Sequence, residues 1–129
     1  MKILLVDDEK ELVSAIAERL SIRNIDADWA ANAQEALKLA KNKIYDLAVL
    51  DIKMPKVGGL KLKKLLHEKY PDMKFIFFTG HGSEEEYKAC VDEDDVVDCL
   101  AKPFKIELLI QKIQSSFVHV LSEKKGQEK

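Results

Sequence analysis

Three short apolar segments of this chain each lead into side chains that are suited to phosphoryl chemistry. Asp7 and Asp8 follow the first segment, Asp51 follows the second, and Thr79 follows the third. If the segments are neighbouring strands of a parallel sheet, their carboxyl ends meet in one crevice, where open α/β sheets bind ligands. The sequence therefore predicts a site with three carboxylates and one hydroxyl, which suits metal-dependent phosphoryl transfer.

Carboxylates held this close together repel one another, by about 4 kcal/mol for a pair about 4 Å apart at an effective dielectric constant near 20. A divalent cation removes this conflict. Oxygen ligands with no cysteine or histidine placed to join them favour Mg²⁺, with Mn²⁺ as the second choice, over zinc. We therefore expect Asp7, Asp8 and Asp51 to bind Mg²⁺. The alternative is that these acidic residues only end their strands at a solvated rim.

Lys102 is the basic residue expected at the same site. It follows the last predicted strand, which ends near residue 100, so its long side chain can reach the crevice. There it can pair with Asp51 or with a phosphoryl oxygen attached to Asp51. Pro103 constrains the turn, and the peptide bond before it is usually trans, with cis as the alternative. Without the aspartates, a lone Lys-Pro pair would indicate only a surface turn.

The hydrophobic pattern alternates between short apolar runs and amphipathic stretches of helical length. Five strand-helix units in strict alternation predict an α/β fold with a parallel sheet and right-handed crossovers. A flavodoxin-like (βα)₅ three-layer sandwich with strand order 2-1-3-4-5 fits best, because it leaves the most polar strands, the second and the fifth, at the edges. The predicted strands are 2–6, 25–31, 44–50, 74–78 and 96–100, and the predicted helices are 9–22, 33–41, 60–70, 84–92 and 105–121.

Two of these helices have recognisable N-terminal residues. Asn32 is the predicted N-cap of the second helix, with Glu35 three residues later as in a capping box. Ser83 is the predicted N-cap of the fourth helix, with Glu86 at the third helical position.

Length and composition limit the classes of function. The 129 residues suit one compact domain, predicted as 1–121, followed by a charged tail or the start of a linker at 122–129. Lys and Arg total 21 against 23 Asp and Glu, so a net charge of -2 gives no general attraction to nucleic acid or to anionic membranes. The opening segment is too short for a signal peptide or a membrane span, which favours a cytoplasmic protein.

The two cysteines, Cys90 and Cys99, lack the spacing of a metal site. In a reducing compartment they are expected as free thiols rather than as a disulfide. An isolated, half-buried cysteine is more often an inert packing residue than a redox-sensitive thiol.

Four motifs, in this order and at these spacings, closely resemble the receiver domain of bacterial two-component response regulators. They read ILLVDDE, VLDIKMPKVGG, IFFTGHG and LAKPF, and the resemblance covers residues 2–121. It implies a phosphoacceptor domain rather than a turnover enzyme, one that assists its own phosphorylation and dephosphorylation. The expected phosphoryl donor is a sensor histidine kinase or a phosphotransfer protein.

The resemblance implies roles for the acidic residues. Asp51 is similar to the phosphoacceptor, a carboxylate nucleophile that attacks a phosphohistidine. Asp7 and Asp8 are similar to the acid pair that holds Mg²⁺ together with Asp51 and the backbone carbonyl of Lys53.

The resemblance also implies a switch. Thr79 is similar to the hydroxyl that moves to bind the new phosphate, and Lys102 to the lysine that contacts its oxygens. The output face would be formed by the fourth helix, the fifth strand and the fifth helix, and this face could also form a homodimer. Receivers often carry Tyr or Phe three residues before the lysine, whereas this chain has Cys99 at that switch position. A thiol is much smaller than an aromatic ring and moves little volume when it changes rotamer, so coupled aromatic switching is not expected.

Two residues are predicted to tune the rate at which the acyl phosphate is hydrolysed. Lys53 lies two residues after Asp51, and His81 lies two residues after Thr79, beside the approach of the water that hydrolyses the acyl phosphate. The direction of their effect is not predicted.

Three other classes of protein share parts of this pattern. A Mg²⁺-dependent phosphatase with an aspartate nucleophile usually carries a second acid two residues after it, where this chain has Lys53. A flavin-binding electron carrier needs a phosphate-cradling loop after the first strand, where Asp7, Asp8 and Glu9 would repel phosphate. A pseudo-receiver that docks without being phosphorylated would not require all five functional positions.

Overall fold

The computed structural model describes residues 1–80, 84–91 and 96–127, with side chains described for all of these except residues 91 and 117–127. Strands and helices alternate along the described chain, as the periodicity predicts. The elements are β1 (Lys2–Val6), α1 (Lys10–Ile22), β2 (Asp26–Ala30), α2 (Ala33–Asn42), β3 (Leu47–Asp51), α3 (Gly59–Lys69), β4 (Lys74–Thr79), α4 (Glu84–Val91), β5 (Val96–Ala101) and α5 (Ile106–Gln127).

The five strands form one parallel sheet in the order β2-β1-β3-β4-β5, which confirms the predicted flavodoxin-like topology. β2 and β5 lie at the edges and are partly exposed, whereas every residue of β3 is buried. The register pairs Val6 with Leu50 and Asp51 with Phe78, so the carboxyl ends of β1, β3 and β4 are aligned. The chain reverses its winding direction between β1 and β3, which places a ligand crevice at that end of the sheet.

Helices cover both faces of the sheet and give the predicted three layers. Phe75 and Phe77 of β4 pack on one face with residues of α2, α3 and α4. Ile76 and Phe78 alternate to the opposite face, where they pack with residues of α1 and α5. Full burial of each large apolar side chain contributes roughly 1.5–3 kcal/mol. The central strands are therefore held from both sides, which fixes the position of the residues at their tips.

The capping box of α2 is present in a modified form. Asn32 Oδ1 accepts the N–H of Glu35 at 2.8 Å, as predicted. Glu35 Oε2 accepts the N–H of Ala31, at 2.8 Å, instead of the N–H of Asn32. The predicted cap Ser83 lies outside the described residues.

Two element boundaries differ from the predictions by more than one residue. β3 begins at Leu47 rather than at residue 44, because Ile44 is exposed and the Asp46 carboxylate accepts the N–H of Lys2 at 2.9 Å. α5 continues to Gln127, six residues past the predicted end at 121, through Glu, Lys and Gln residues that favour helix. The division into a domain at 1–121 and a tail at 122–129 stays a prediction.

Among the described helices, none is both long enough and apolar enough to cross a bilayer.

A polar cluster ties the edge strand β2 to the segment before β3. The buried Tyr45 donates its hydroxyl to Asp28 Oδ2 at 2.6 Å, and Lys43 Nζ lies 2.9 Å from the same oxygen. Burial alone would raise the pKa of Asp28, but these two donors outweigh it and hold that pKa below its ordinary value. Burial, with the hydrogen bond to Asp28, raises the pKa of Tyr45.

Tyr45→Phe tests this cluster. A carboxyl whose pKa is lowered by folding stabilises the fold above its unfolded pKa and loses that contribution as the pH falls through the folded pKa. We expect the variant to lose about 1 kcal/mol of unfolding free energy at about pH 7 and less at about pH 3, measured by urea denaturation. Tyr87→Phe, at an exposed position of α4, is the matched control and should leave stability unchanged. Equal stability of the wild type and Tyr45→Phe at neutral pH would contradict the assignment.

Candidate functional site

The loop after β1 supplies three acidic side chains. Asp7 follows the buried strand directly and is itself fully buried, and its Oδ1 accepts the N–H of Glu9 at 2.9 Å. Asp8 is exposed. The N–H of Asp7 donates to the carbonyl of Ala30 at 3.2 Å, so β2 fixes the backbone at this point. The position of Asp7 is therefore set by the sheet rather than by a free loop.

Asp51 is the last residue of β3 and is only 6% exposed. The chain folds back over it at the start of α3, where the N–H of Gly59 donates to the carbonyl of Ile52 at 2.9 Å. A Cβ atom at Gly59 would collide with the Asp51 carbonyl oxygen, and one at Gly58 would come within 2.7 Å of the Ile52 carbonyl oxygen. The two glycines thus allow the close approach that holds the Asp51 backbone in place.

Lys102 lies directly after β5 and joins the acidic residues across the end of the sheet. Its Nζ is 2.6 Å from Asp7 Oδ2, 3.1 Å from Glu9 Oε1 and 3.4 Å from Asp51 Oδ2. The ammonium also lies 5.7 Å from the centre of the Phe78 ring, which stacks on Phe104 at 4.7 Å. The Lys102–Pro103 peptide is cis. The predicted reach of Lys102 into the crevice is therefore present.

Thr79 ends β4 and is 2% exposed. It follows Phe78, whose partner on β3 is Asp51, and it pairs with Ala101 on β5. Its carbonyl accepts the N–H of Lys102 at 2.9 Å. Thr79 and Lys102 are therefore coupled through the backbone at the same edge of the sheet.

The electrostatics of the site are dominated by burial of like charges. Burial first, and the charge of Asp7 second, raise the pKa of Asp51 to about 7, against the opposing effect of Lys102. Burial likewise raises the pKa of Asp7, although the hydrogen bond from Lys102 opposes it. Burial alone would lower the pKa of Lys102, but Asp7, Glu9 and Asp51 together raise it. The ammonium is therefore charged at neutral pH and shared among three carboxylates.

Asp7, Asp8 and Asp51 can hold a cation. Each offers a carboxylate oxygen, and these oxygens lie within 4.8 Å of one another. The donor set is all oxygen, and exposed Asp8 leaves room for retained waters, which suits a hard divalent ion. The residues present therefore fit the predicted Mg²⁺ site.

Two further acidic residues belong to the site region and were missed from the sequence. Glu9 contacts Lys102, and its adjacency to Asp7 and Asp8 was the available signal. Glu86, 7% exposed on α4, accepts the N–H of Gly80 at 3.0 Å and lies 3.4 Å from Lys53 Nζ. No local signal predicted this contact, because it depends on where α4 packs. The Lys53 side chain is mostly exposed beside the crevice, and His81 lies outside the described residues.

The cysteine prediction is wrong in one respect. Cys90 and Cys99 are joined by a disulfide, with Cα atoms 6.4 Å apart, rather than being free thiols. The reason is that α4 packs against β5, which brings together two cysteines separated by nine positions. Cys99 therefore occupies the predicted switch position as half of a covalent link, which removes the independent side-chain rotation that a switch aromatic would need.

The chain matches the family model described as "Response regulator receiver domain" over residues 3–114. It is 30% identical over 115 residues to "Response regulator MprA" of Mycobacterium sp. (strain KMS). The aligned region covers 89% of this chain and 50% of that protein. It is 33% identical over 114 residues to the "Transcriptional regulatory protein CpxR homolog" of Haemophilus influenzae, which covers 88% of this chain and 49% of that protein. The chain thus spans about half the length of these relatives.

Solved structures of receiver domains are also similar to this chain. A response regulator receiver domain protein (CheY-like) from Methanospirillum hungatei is similar with a TM-score of 0.85 and 29% identity, covering 95% of this chain and 97% of that one. A response regulator receiver domain protein from Clostridium thermocellum has a TM-score of 0.79 and 26% identity, covering 96% of each chain.

Asp51→Asn tests the charge balance between Lys102 and the carboxylates around it, in buffer that contains a metal chelator. A carboxyl whose pKa rises on folding destabilises the fold wherever it is ionised in the unfolded chain. Removing this charge leaves Lys102 paired with Asp7 and Glu9, so we expect the unfolding free energy at about pH 8 to rise by on the order of 1–2 kcal/mol. Asp72→Asn, an exposed residue, is the control and should have little effect. A variant less stable than the wild type would show that Asp51 is not electrostatically strained.

Proposed function

Because the chain belongs to the receiver-domain family of two-component response regulators, we propose that Asp51 accepts the phosphoryl group of this signalling system. The observation that carries the proposal is the surroundings of Asp51, a nearly buried carboxylate 3.4 Å from the Lys102 ammonium and grouped with Asp7 and Asp8. The donor is the phosphohistidine of a sensor histidine kinase or a phosphotransfer protein. Asp51 acts as a nucleophile once per phosphorylation event, so the chain is a signalling domain rather than a turnover enzyme.

In this reaction an Asp51 carboxylate oxygen attacks the phosphorus in line with the bond to the donor imidazole. The new P–O bond forms as the P–N bond breaks, and the leaving imidazole takes up a proton. Lys102 contacts a phosphoryl oxygen, so its ammonium offsets the negative charge of the phosphoryl group as that group moves from the imidazole to Asp51. A bound Mg²⁺ ion, or Mn²⁺ as the alternative, would supply the positive charge that draws the phosphoryl oxygens and Asp51 together. Its proposed ligands are Asp7, Asp8, Asp51 and the backbone carbonyl of Lys53.

The phosphorylated state is read through Thr79. Phosphorylation replaces one carboxylate with a group of about two negative charges and three acceptor oxygens. The Thr79 hydroxyl donates to one of these oxygens, and the Thr79 carbonyl already holds the N–H of Lys102 at 2.9 Å. A shift of Thr79 therefore pulls on β5 as well as on the loop after β4. The surface formed by α4, β5 and α5 is the proposed output face, and a homodimer through this face is one proposed outcome.

The lifetime of the acyl phosphate depends on the groups at the mouth of the crevice. Lys53 and His81 are the proposed rate-tuning residues. The 3.4 Å ion pair between Lys53 and Glu86 supports the proposal for Lys53, because Glu86 also accepts the N–H of Gly80, the residue after Thr79.

The domain proposal is that residues 1–121 form the receiver unit and residues 122–129 a charged tail or linker. The net charge of -2 for the full 129 residues supports partners that are proteins rather than nucleic acid or membrane, and the proposed location is the cytoplasm.

Incubation with acetyl phosphate and Mg²⁺ tests the acceptor. We expect one phosphoryl group per chain by intact mass, lost in alkali, and no adduct on Asp51→Asn because the nucleophile is gone. Asp72→Asn should label like the wild type. Lys102→Met should slow labelling by about 10²-fold, since it removes one donor to the transferring group.

Three outcomes would count against this function. An adduct that survives Asp51→Asn would move the acceptor elsewhere. Continuous release of phosphate without a stoichiometric adduct would favour the phosphatase alternative, and no reaction at all would favour a pseudo-receiver.

A further inference from the structure

The disulfide joins two elements of the proposed output face. Cys90 lies in α4 and is fully buried, whereas Cys99 lies in β5 and is partly exposed. Their Cα atoms are 6.4 Å apart, which is within the range of roughly 4.4–6.8 Å at which two cysteines can be bridged. The backbone arrangement of α4 and β5 therefore suits a cross-link without movement of either element.

The same face of α4 carries a second attachment. Glu86 lies four positions before Cys90, so both side chains project from one side of the helix. Glu86 accepts the N–H of Gly80, the residue after Thr79, at 3.0 Å. α4 is thus tied to the end of β4 by a hydrogen bond and, one turn later, to β5 by a covalent bond.

β5 connects the cross-link to the phosphorylation site. Cys99 pairs with Phe77 on β4, and two residues later Ala101 pairs with Thr79. Lys102, whose ammonium contacts Asp51, follows immediately. A bond at Cys99 therefore acts on the strand that links the switch hydroxyl to the site lysine.

We propose that Cys90 and Cys99 form a reversible oxidation site that takes a low-molecular-weight disulfide such as glutathione disulfide as its oxidant, and that the cross-link locks α4 against β5. The second part rests on the proposed function, and the first part does not. Cys99 is the partly exposed residue of the pair and therefore the one that a small thiol or disulfide reaches first, and the buried Cys90 is the resolving thiol. The surrounding core is made mostly of other aliphatic and aromatic side chains, so its packing continues around the two cysteines when they are reduced.

The chemistry is a thiol-disulfide exchange in two steps. Cys99 loses its proton and its sulfur attacks one sulfur of glutathione disulfide, forming a mixed disulfide and releasing one glutathione thiolate. Cys90 then loses its proton and attacks the Cys99 sulfur, breaking the bond to the second glutathione, which also leaves. The two protons pass to the released thiolates. Two cysteine thiols are oxidised, and one glutathione disulfide is reduced to two glutathione thiols.

The locked and unlocked forms differ in what phosphorylation can move. With two free thiols, α4 can shift relative to β5 when Thr79 and its loop reorganise around the phosphoryl group. With the cross-link, that shift is blocked while the Asp51 crevice stays open to donors. Oxidation would therefore separate phosphorylation from its readout.

The first experiment is titration of the full chain in glutathione buffers of increasing oxidised fraction, followed by alkylation and intact-mass analysis. We expect the wild type to lose two hydrogen atoms and to carry neither alkyl groups nor glutathione. Cys90→Ser should retain one glutathione on Cys99, and Cys99→Ser should be modified much less because Cys90 is buried. A stable glutathione adduct on the wild type, or disulfides only between two chains, would overturn the cross-link.

The second experiment measures hydrogen exchange of the backbone amides in α4 and β5, with and without acetyl phosphate and Mg²⁺, in reduced and oxidised protein. We expect phosphorylation to raise exchange severalfold in the reduced form and to have little effect in the oxidised form. The double variant Cys90→Ser/Cys99→Ser should respond in either buffer. Equal responses of reduced and oxidised wild type would overturn the lock.

Intact mass of the same samples separates this failure from failure of the proposed function. Absence of a phosphoryl adduct in the reduced protein would contradict Asp51 as acceptor. A full adduct in both redox forms with identical exchange would contradict the redox lock alone.

Discussion

Like charges buried at the tips of neighbouring strands are the constraint on which the site depends. Asp7 and Asp51 are nearly removed from solvent, and burial raises the pKa of both. One ammonium, that of Lys102, is shared between them and Glu9. This leaves an excess of negative charge in a place with little water to screen it. Binding of a divalent cation, which adds positive charge beside these carboxylates, relieves the excess.

The sheet maintains this unfavourable arrangement because its centre is rigid. β3 is buried along its whole length, and Phe75 to Phe78 of β4 fill both cores in alternation. The approach of Gly59 to the Asp51 carbonyl adds a backbone restraint at the acceptor itself. The free energy gained by packing in the two cores therefore offsets the cost of concentrating carboxylates at one edge. β5 lies at the edge of the sheet, away from this rigid centre, and α4 packs beside it, where the proposed output face is located.

The sequence was sufficient for features that depend on local periodicity and chain direction. Alternating apolar segments predicted the strand order, and the residue type at each strand end predicted that Asp51 and Lys102 would meet. Features that depend on how one element packs against another were not predictable in this way. The contact of Glu86 with Gly80 and the bond between Cys90 and Cys99 both require knowing where α4 lies on the sheet. The start of β3 was placed too early because Ile44 is apolar, although it is exposed.

The stacked rings of Phe78 and Phe104 have a consequence for the speed of the chemistry. Phe104 follows the turn that carries Lys102, and Phe78 lies beneath the ammonium at 5.7 Å. Dispersion between the two rings does not depend on the ionisation of the nearby carboxylates, so this contact restrains the turn that carries Lys102 at any charge state of the crevice. For the proposed transfer to Asp51, an ammonium restrained in this way would need little rearrangement as charge develops, which is the condition under which electrostatic preorganisation lowers an activation barrier.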